Sequence, residues 1–138
     1  MKRILVLEDD KKIAEALVTR LQAAGYVVQH EAFGLAGLKR AAHEPPDLIL
    51  LDVWLPDGAS FNVVERLAER GLTGVPFIFM TASRKPNLWR MAQEAGAAGF
   101  FEKPYDPEKL LAAIAQALTC APTPYHQEPS VLPALRAA

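Results

Sequence analysis

Residues 47–58 read Asp-Leu-Ile-Leu-Leu-Asp-Val-Trp-Leu-Pro-Asp-Gly, and this stretch decides the fold. Its aliphatic residues 48–51 show no polar alternation, which is typical of a strand buried on both faces of a parallel sheet. Asp52 follows this run directly, and a carboxylate at such a place needs either solvent or a partner. The stretch therefore predicts a central parallel strand that ends in a carboxylate.

Other short apolar runs also end in polar residues: Glu8-Asp9-Asp10 after residues 4–7, Thr81-Ala82-Ser83 after 77–80, and Glu102-Lys103-Pro104 after 100–101. In a parallel α/β sheet the C-terminal strand ends face one crevice, where ligands bind. Carboxylates, a hydroxyl and an ammonium that converge there would form an acidic site for a metal ion and a phosphoryl group. Each signal is weak alone, and the conjunction of all of them carries the prediction.

Five short apolar runs alternate with five helical patterns, which indicates an α/β fold with a parallel sheet. The runs at 4–7 and 48–51 are the most continuous, so we expect them to be central strands. The right-handed crossover rule then favours the strand order 2-1-3-4-5, an order known from flavodoxin-like, doubly wound proteins. That order places Glu8 and Asp9 beside Asp52.

Capping residues predict where several helices begin. Asp10 is expected to cap the first helix, Ser60 the third, and Asp106 the fifth, where Pro107 follows at a position that needs no N–H. The fourth helix, near residues 86–95, has only a weak apolar stripe that includes Leu88 and Met91. Low apolar content suits an element that shifts.

The composition bounds the class of protein. The chain of 138 residues is 51% hydrophobic with a net charge of −1, which fits one globular domain and gives no basic face for nucleic acid. One cysteine and no apolar run long enough for a membrane span favour the cytoplasm. We expect a domain at 1–118 and a proline-rich linker or disordered tail at 119–138.

With these motifs in place, residues 2–118 resemble the receiver domain of two-component response regulators, including the chemotaxis regulator. The resemblance implies that Asp52 is the phosphoacceptor and that Mg²⁺ is the cofactor. Asp9 would then be a direct metal ligand beside Asp52, Glu8 a ligand through water, and the backbone carbonyl of Trp54 a further ligand. Lys103 would pair with the phosphoryl group.

The same resemblance makes Thr81 the switch hydroxyl and Phe100 the switch aromatic, which moves inward from an outward position. Ala82 and Ser83 would flank the phosphoryl site. The side chain of Trp54 has two readings: it shields the phosphoryl group from water, or it faces outward as an anchor for a partner.

The implied function is a phosphorylation-controlled switch rather than an enzyme. A sensor histidine kinase or a phosphotransfer protein would donate the phosphoryl group. The face formed by the fourth helix, fifth strand and fifth helix would signal to an unknown output partner or effector domain, and a homodimer remains open. The competing hypothesis is a Mg²⁺-dependent phosphate-ester hydrolase with a nucleophilic Asp. That class usually has a second carboxylate two residues after the nucleophile, where this chain has Trp54. A third hypothesis is a binding domain that works without phosphorylation.

Overall fold

The computed structural model describes residues 1–119. Its helices are α1 (Lys11–Ala23), α2 (Gly34–His43), α3 (Ser60–Glu69), α4 (Leu88–Glu94) and α5 (Pro107–Thr119). Its strands are β1 (Arg3–Leu7), β2 (Val27–Glu31), β3 (Leu48–Asp52), β4 (Trp54–Leu55), β5 (Gly58–Ala59), β6 (Phe77–Thr81) and β7 (Gly99–Glu102). Apart from Thr119, the expected tail lies outside the described residues. Within them, no helix is long and apolar enough to cross a membrane.

The main sheet is parallel and has the order β2-β1-β3-β6-β7. Since β6 and β7 are its fourth and fifth strands in the chain, the predicted order 2-1-3-4-5 is confirmed. The small antiparallel hairpin of β4 and β5, in which Trp54 pairs with Ala59, was not predicted. Two-residue strands are too short to show a period of hydrophobicity.

Alternate residues of the central strands enter two apolar cores, one on each face of the sheet. Leu5, Ile49 and Phe79 pack on the face that α2, α3 and α4 cover. The opposite face is covered by α1 and α5, whose core residues include Leu17 and Ile114. Because both faces of the central strands are covered, their side chains with access to solvent lie at the strand ends, where the polar residues follow.

The helix starts agree with the predictions in two cases out of three. The Asp10 side chain accepts hydrogen bonds from the amides of residues 12 and 13, and Asp106 accepts one from residue 108. The predicted cap at Ser60 is wrong, because Ser60 is the first residue of α3 and its hydroxyl points back to β3. In α4, Leu88 is buried but Met91 is exposed, so the predicted stripe is narrower than expected.

The first turn of α2 is capped by a residue from another part of the chain. Phe33, at its N-cap, makes no side-chain capping bond. Instead, the two carboxylate oxygens of Asp57 accept hydrogen bonds from the amides of Gly34 and Leu35, at 2.8 and 2.9 Å. These amide bonds lower the pKa of Asp57, despite a small opposing effect of burial. The loop that follows β3 is thereby tied to α2.

Replacing Asp57 with Ala should therefore destabilise the fold by about 0.5–2 kcal/mol, as for other lost caps. The contribution should be complete above the ordinary aspartate pKa of about 4 and disappear as the pH falls through the lowered folded-state pKa. Urea unfolding of wild type and Asp57→Ala at several pH values measures both effects. Equal stability of the two proteins at neutral pH would contradict the assignment of this cap.

Candidate functional site

Asp52 lies at the C-terminal end of β3, where its side chain is held at both oxygens. Oδ1 accepts a hydrogen bond of 3.1 Å from the amide of Trp54, and Oδ2 accepts one of 2.8 Å from Lys103 Nζ. The buried hydroxyl of Ser60 also donates to the backbone carbonyl of Asp52. Asp52 keeps 8% of its surface exposed. The carboxylate is thus fixed in orientation and still reachable from the crevice.

Lys103 joins Asp52 to a second carboxylate. Its ammonium also donates to Oε1 of Glu8, whose other oxygen accepts a bond of 3.0 Å from the amide of Asp10. Burial raises the pKa of Glu8, although these two hydrogen bonds oppose the effect. Burial disfavours the Lys103 ammonium, but the hydrogen bonds to Asp52 and Glu8 outweigh it and raise the pKa of Lys103. The Lys103 ammonium, which lies between Asp52 and Glu8, therefore stays charged at neutral pH.

The third carboxylate at this edge is Asp9, which is exposed. Glu8, Asp9 and Asp52 each bring one carboxylate oxygen to within 4.8 Å of the others. The predicted convergence of these residues at neighbouring strand ends is thus present in the structure. Hard oxygen donors of this kind suit Mg²⁺, which usually binds one or two carboxylates and keeps several waters. The donor set fits that ion, and Asp9 and Asp52 are its more accessible members.

Thr81 lies at the end of β6, the strand next to β3. It is fully buried, and its Oγ1 accepts a hydrogen bond of 2.9 Å from the amide of Ser83. Ser83 in turn accepts a bond from the amide of Lys85 at 3.4 Å. The hydroxyl is therefore turned toward its own loop, and Ala82 is exposed beside it. This loop, residues 82–87, connects the C-terminal end of β6 to α4.

Phe100 does not occupy the outward position that we expected. It is only 2% exposed and packs in the core with Leu88 and Ala92 of α4. The space for an inward aromatic ring is thus already filled in this structure.

The Trp54 side chain is 44% exposed, and the ammonium of Lys85 lies 5.2 Å from the centre of its ring. The peptide between Lys103 and Pro104 is cis.

Sequence reasoning missed two residues of the site, Ser60 and Lys85. Ser60 stands at a helix start, where a hydroxyl ordinarily caps its own helix, so nothing in the sequence pointed to the carbonyl of Asp52. Lys85 is one of several surface lysines, and only the path of residues 82–87 brings it over Trp54. The sequence held one weak indication that Lys85 lies near the site: it comes four residues after Thr81, in the loop that follows a strand end.

Comparison with known proteins identifies the class to which this fold and site belong. Residues 4–115 match the family model described as the response regulator receiver domain. The chain belongs to this family, whose members act as phosphorylation-dependent signalling switches rather than as classical enzymes.

The similar proteins of known sequence include transcriptional regulators. The chain is 35% identical over 115 residues to the DNA-binding dual master transcriptional regulator RpaA of Synechocystis. The matched residues make up 83% of this chain and 48% of RpaA. It is 33% identical over 118 residues to the transcriptional regulatory protein KdpE of Mycobacterium tuberculosis, covering 86% of the chain and 51% of KdpE. The chain thus spans about half the length of the curated relatives that it matches.

Solved structures show the same fold. The non-phosphorylated HemR receiver domain from Leptospira biflexa superposes with a TM-score of 0.80 at 29% identity, covering 88% of this chain and 97% of that domain. A CheY-like response regulator receiver domain protein from Methanospirillum hungatei gives 0.79 at 30% identity, covering 86% of this chain and 94% of that one. The resemblance to receiver domains is thereby confirmed.

Proposed function

We propose that Asp52 accepts a phosphoryl group from a phosphohistidine, carried by a sensor histidine kinase or a phosphotransfer protein, and that this event switches the domain. The observation that carries the proposal is the arrangement around Asp52. The Asp52 carboxylate keeps some exposure, is oriented by a backbone amide and by Lys103 at 2.8 Å, and lies within 4.8 Å of carboxylate oxygens of two acidic residues. Covalent aspartyl phosphates are established products of carboxylate nucleophiles.

The transfer is a displacement at phosphorus. A carboxylate oxygen of Asp52 forms the new O–P bond while the N–P bond of phosphohistidine breaks. The departing imidazole nitrogen keeps the electron pair and is neutral if its other nitrogen carries a proton. The ammonium of Lys103, already at Asp52, balances negative charge on the transferring oxygens. The amide of Trp54 keeps the nucleophile oriented, which reduces the entropic part of the barrier.

Asp9 and Asp52 would hold Mg²⁺ directly, with Glu8 acting through water and the backbone carbonyl of Trp54 completing the protein ligands. When bound, the ion supplies positive charge for the phosphoryl oxygens. Glu8 suits an indirect role because Lys103 and the amide of Asp10 already use both of its oxygens. Asp9, which is exposed beside it, has no such engagement among the hydrogen bonds of the described residues.

Uptake of phosphoryl from acetyl phosphate should depend on Asp9 and not on Asp10. Asp9 shares the acidic cluster with Asp52, whereas Asp10 caps α1. We expect Asp9→Ala to raise the Mg²⁺ concentration needed for half-maximal uptake by at least about tenfold, equivalent to about 1.4 kcal/mol.

The matched control is Asp10→Ala, which should lower stability by about 0.5–2 kcal/mol and leave the Mg²⁺ requirement unchanged. Loss of metal dependence in Asp10→Ala with wild-type behaviour in Asp9→Ala would show that the acidic pair has been assigned in the wrong register. Failure of the wild-type protein to take up phosphoryl at any Mg²⁺ concentration would refute the proposed function.

An output partner detects the phosphorylated state by binding the surface formed by α4, β7 and α5. Thr81 and Phe100 lie on the strands that flank α4, and α4 is the shortest helix among the described residues. A partner must bind this surface with different affinity in the two states, since otherwise no signal passes. By analogy with the DNA-binding relatives, an effector domain or a separate protein in the cytoplasm receives it. Residues 1–118 would form the receiver and 119–138 a linker or tail.

No observation favours the alternative of a phosphate-ester hydrolase. The residue two positions after Asp52 is Trp54, and its amide, not an acidic side chain, faces the Asp52 carboxylate. The similar proteins are response regulators. We therefore retain the switch as the proposed function.

A further inference from the structure

A chain of contacts runs from the Asp52 carboxylate to the Thr81 hydroxyl by way of the crevice mouth. It begins at Asp52 Oδ1, which accepts a hydrogen bond of 3.1 Å from the amide of Trp54. The ring of Trp54 lies beneath the ammonium of Lys85, 5.2 Å from the ring centre. Lys85 belongs to the loop at residues 82–87, so this contact joins the loop after β3 to the loop after β6.

The second half of the chain of contacts returns to Thr81. The amide of Lys85 donates to Ser83 Oγ at 3.4 Å, and the amide of Ser83 donates to Thr81 Oγ1 at 2.9 Å. Arg84, between them, pairs with Glu102 at the end of β7 at 2.7 Å. The loop is therefore attached on both sides, to β7 by an ion pair and to β4 by the cation–π contact of Lys85.

From this arrangement we infer that the Lys85–Trp54 contact is a latch that holds the loop at residues 82–87 in the conformation seen here, in which the Thr81 hydroxyl accepts a hydrogen bond from the Ser83 amide. The inference rests on the proposed function, in which Thr81 bonds to the phosphoryl group on Asp52. In this structure its hydroxyl is turned to the Ser83 amide instead. When Thr81 turns toward Asp52, the Ser83 turn loosens, Lys85 is drawn away from Trp54, and the latch opens.

A latch that stabilises one conformation lowers the affinity of any ligand that binds the other conformation, by the factor by which the latch shifts the equilibrium between the two. An exposed cation–π contact corresponds to a factor of about two to five in an equilibrium constant. Lys85→Met removes the charge and keeps the length of the side chain. It should therefore strengthen binding of beryllofluoride, a stable mimic of the phosphoryl group, by about two- to fivefold. Lys85→Arg should behave like wild type because a guanidinium also stacks on an indole.

The decisive test is a double-mutant cycle of Lys85→Met and Trp54→Leu, with beryllium titrated in excess fluoride and Mg²⁺. If the two side chains act through their contact, Lys85→Met has no effect once Trp54 is Leu. The matched control is Lys39→Met, which removes an exposed lysine of α2 and should bind like wild type. A second readout is the fluorescence of Trp54, measured in proteins that also carry Trp89→Phe. Without ligand, Lys85→Met should shift this fluorescence part of the way toward the value that the protein with Lys85 reaches when beryllofluoride binds.

Additive effects of the two substitutions, or equal affinity of Lys85→Met and wild type, would overturn the latch while leaving phosphorylation of Asp52 intact. Absence of beryllofluoride binding in the wild-type protein would overturn the proposed function and the latch together. The two failures are therefore distinguishable in one set of titrations.

Discussion

Replacing Lys103 with Met is expected to slow phosphoryl uptake from acetyl phosphate by about 100- to 1,000-fold, the usual cost of removing one preorganised donor from a site of developing charge. Lys103 is the only side chain described that bridges Asp52 and Glu8 with a positive charge. A methionine fills similar space but leaves the transferring oxygens without the ammonium.

The Mg²⁺ affinity of this variant separates a chemical role of Lys103 from a structural one. Because the ammonium competes with a cation for the same carboxylates, Lys103→Met should bind Mg²⁺ at least as well as wild type. The control is Lys109→Met, which removes an exposed lysine of α5 and should behave normally in both assays. Uptake within a factor of about two of wild type would contradict the role of Lys103 in transfer; a misfolded variant would instead lose metal binding too.

Replacing Trp54 with Asn is expected to shorten the lifetime of the phosphorylated protein by roughly tenfold, or about 1.4 kcal/mol of barrier. Trp54 follows Asp52 by two residues, and its amide contacts the Asp52 carboxylate. The shielding hypothesis is that its indole crowds the approach of a hydrolytic water to the phosphoryl group. The ring is large and apolar apart from one N–H, whereas an amide side chain leaves room for water. The lifetime is measured after removal of phosphodonor, with no kinase or partner present.

Lys85→Met is the matched control for this lifetime, because it releases the latch and keeps the indole. Shielding predicts fast hydrolysis in Trp54→Asn and a lifetime in Lys85→Met no shorter than that of wild type. An unchanged lifetime in Trp54→Asn would reject shielding and leave the 44% exposed side chain as a docking residue.

Most of the sheet could be predicted from the sequence because its determinants are local. Residues 48–51 are aliphatic without alternation and are fully or almost fully buried in β3, as such a run requires. The crossover rule favoured the strand order already known from flavodoxin-like proteins, and that order brought Glu8, Asp9 and Asp52 together. The convergence of these acidic residues at the strand ends could therefore be predicted from the sequence.

Other features depended on contacts between distant segments and could not be read locally. Asp57 caps α2 across 23 positions of sequence, and Ser60 bonds to Asp52 instead of capping α3. The inward position of Phe100 depends on how α4 packs against β7, which no local pattern specifies. The same holds for Lys85 over Trp54, since it depends on the path of an entire loop.

The position of the phosphoryl group on the chain tests the central claim most directly. The protein is incubated with Mg²⁺ and acetyl phosphate, the acyl phosphate is trapped by borohydride reduction, and the modified residue is located by mass spectrometry of peptides, with Asp52→Asn as the matched variant. We predict modification of Asp52 alone, sensitive to hydroxylamine before trapping and absent from Asp52→Asn. A hydroxylamine-sensitive label of equal extent in Asp52→Asn would contradict the assignment of Asp52 as the phosphoacceptor.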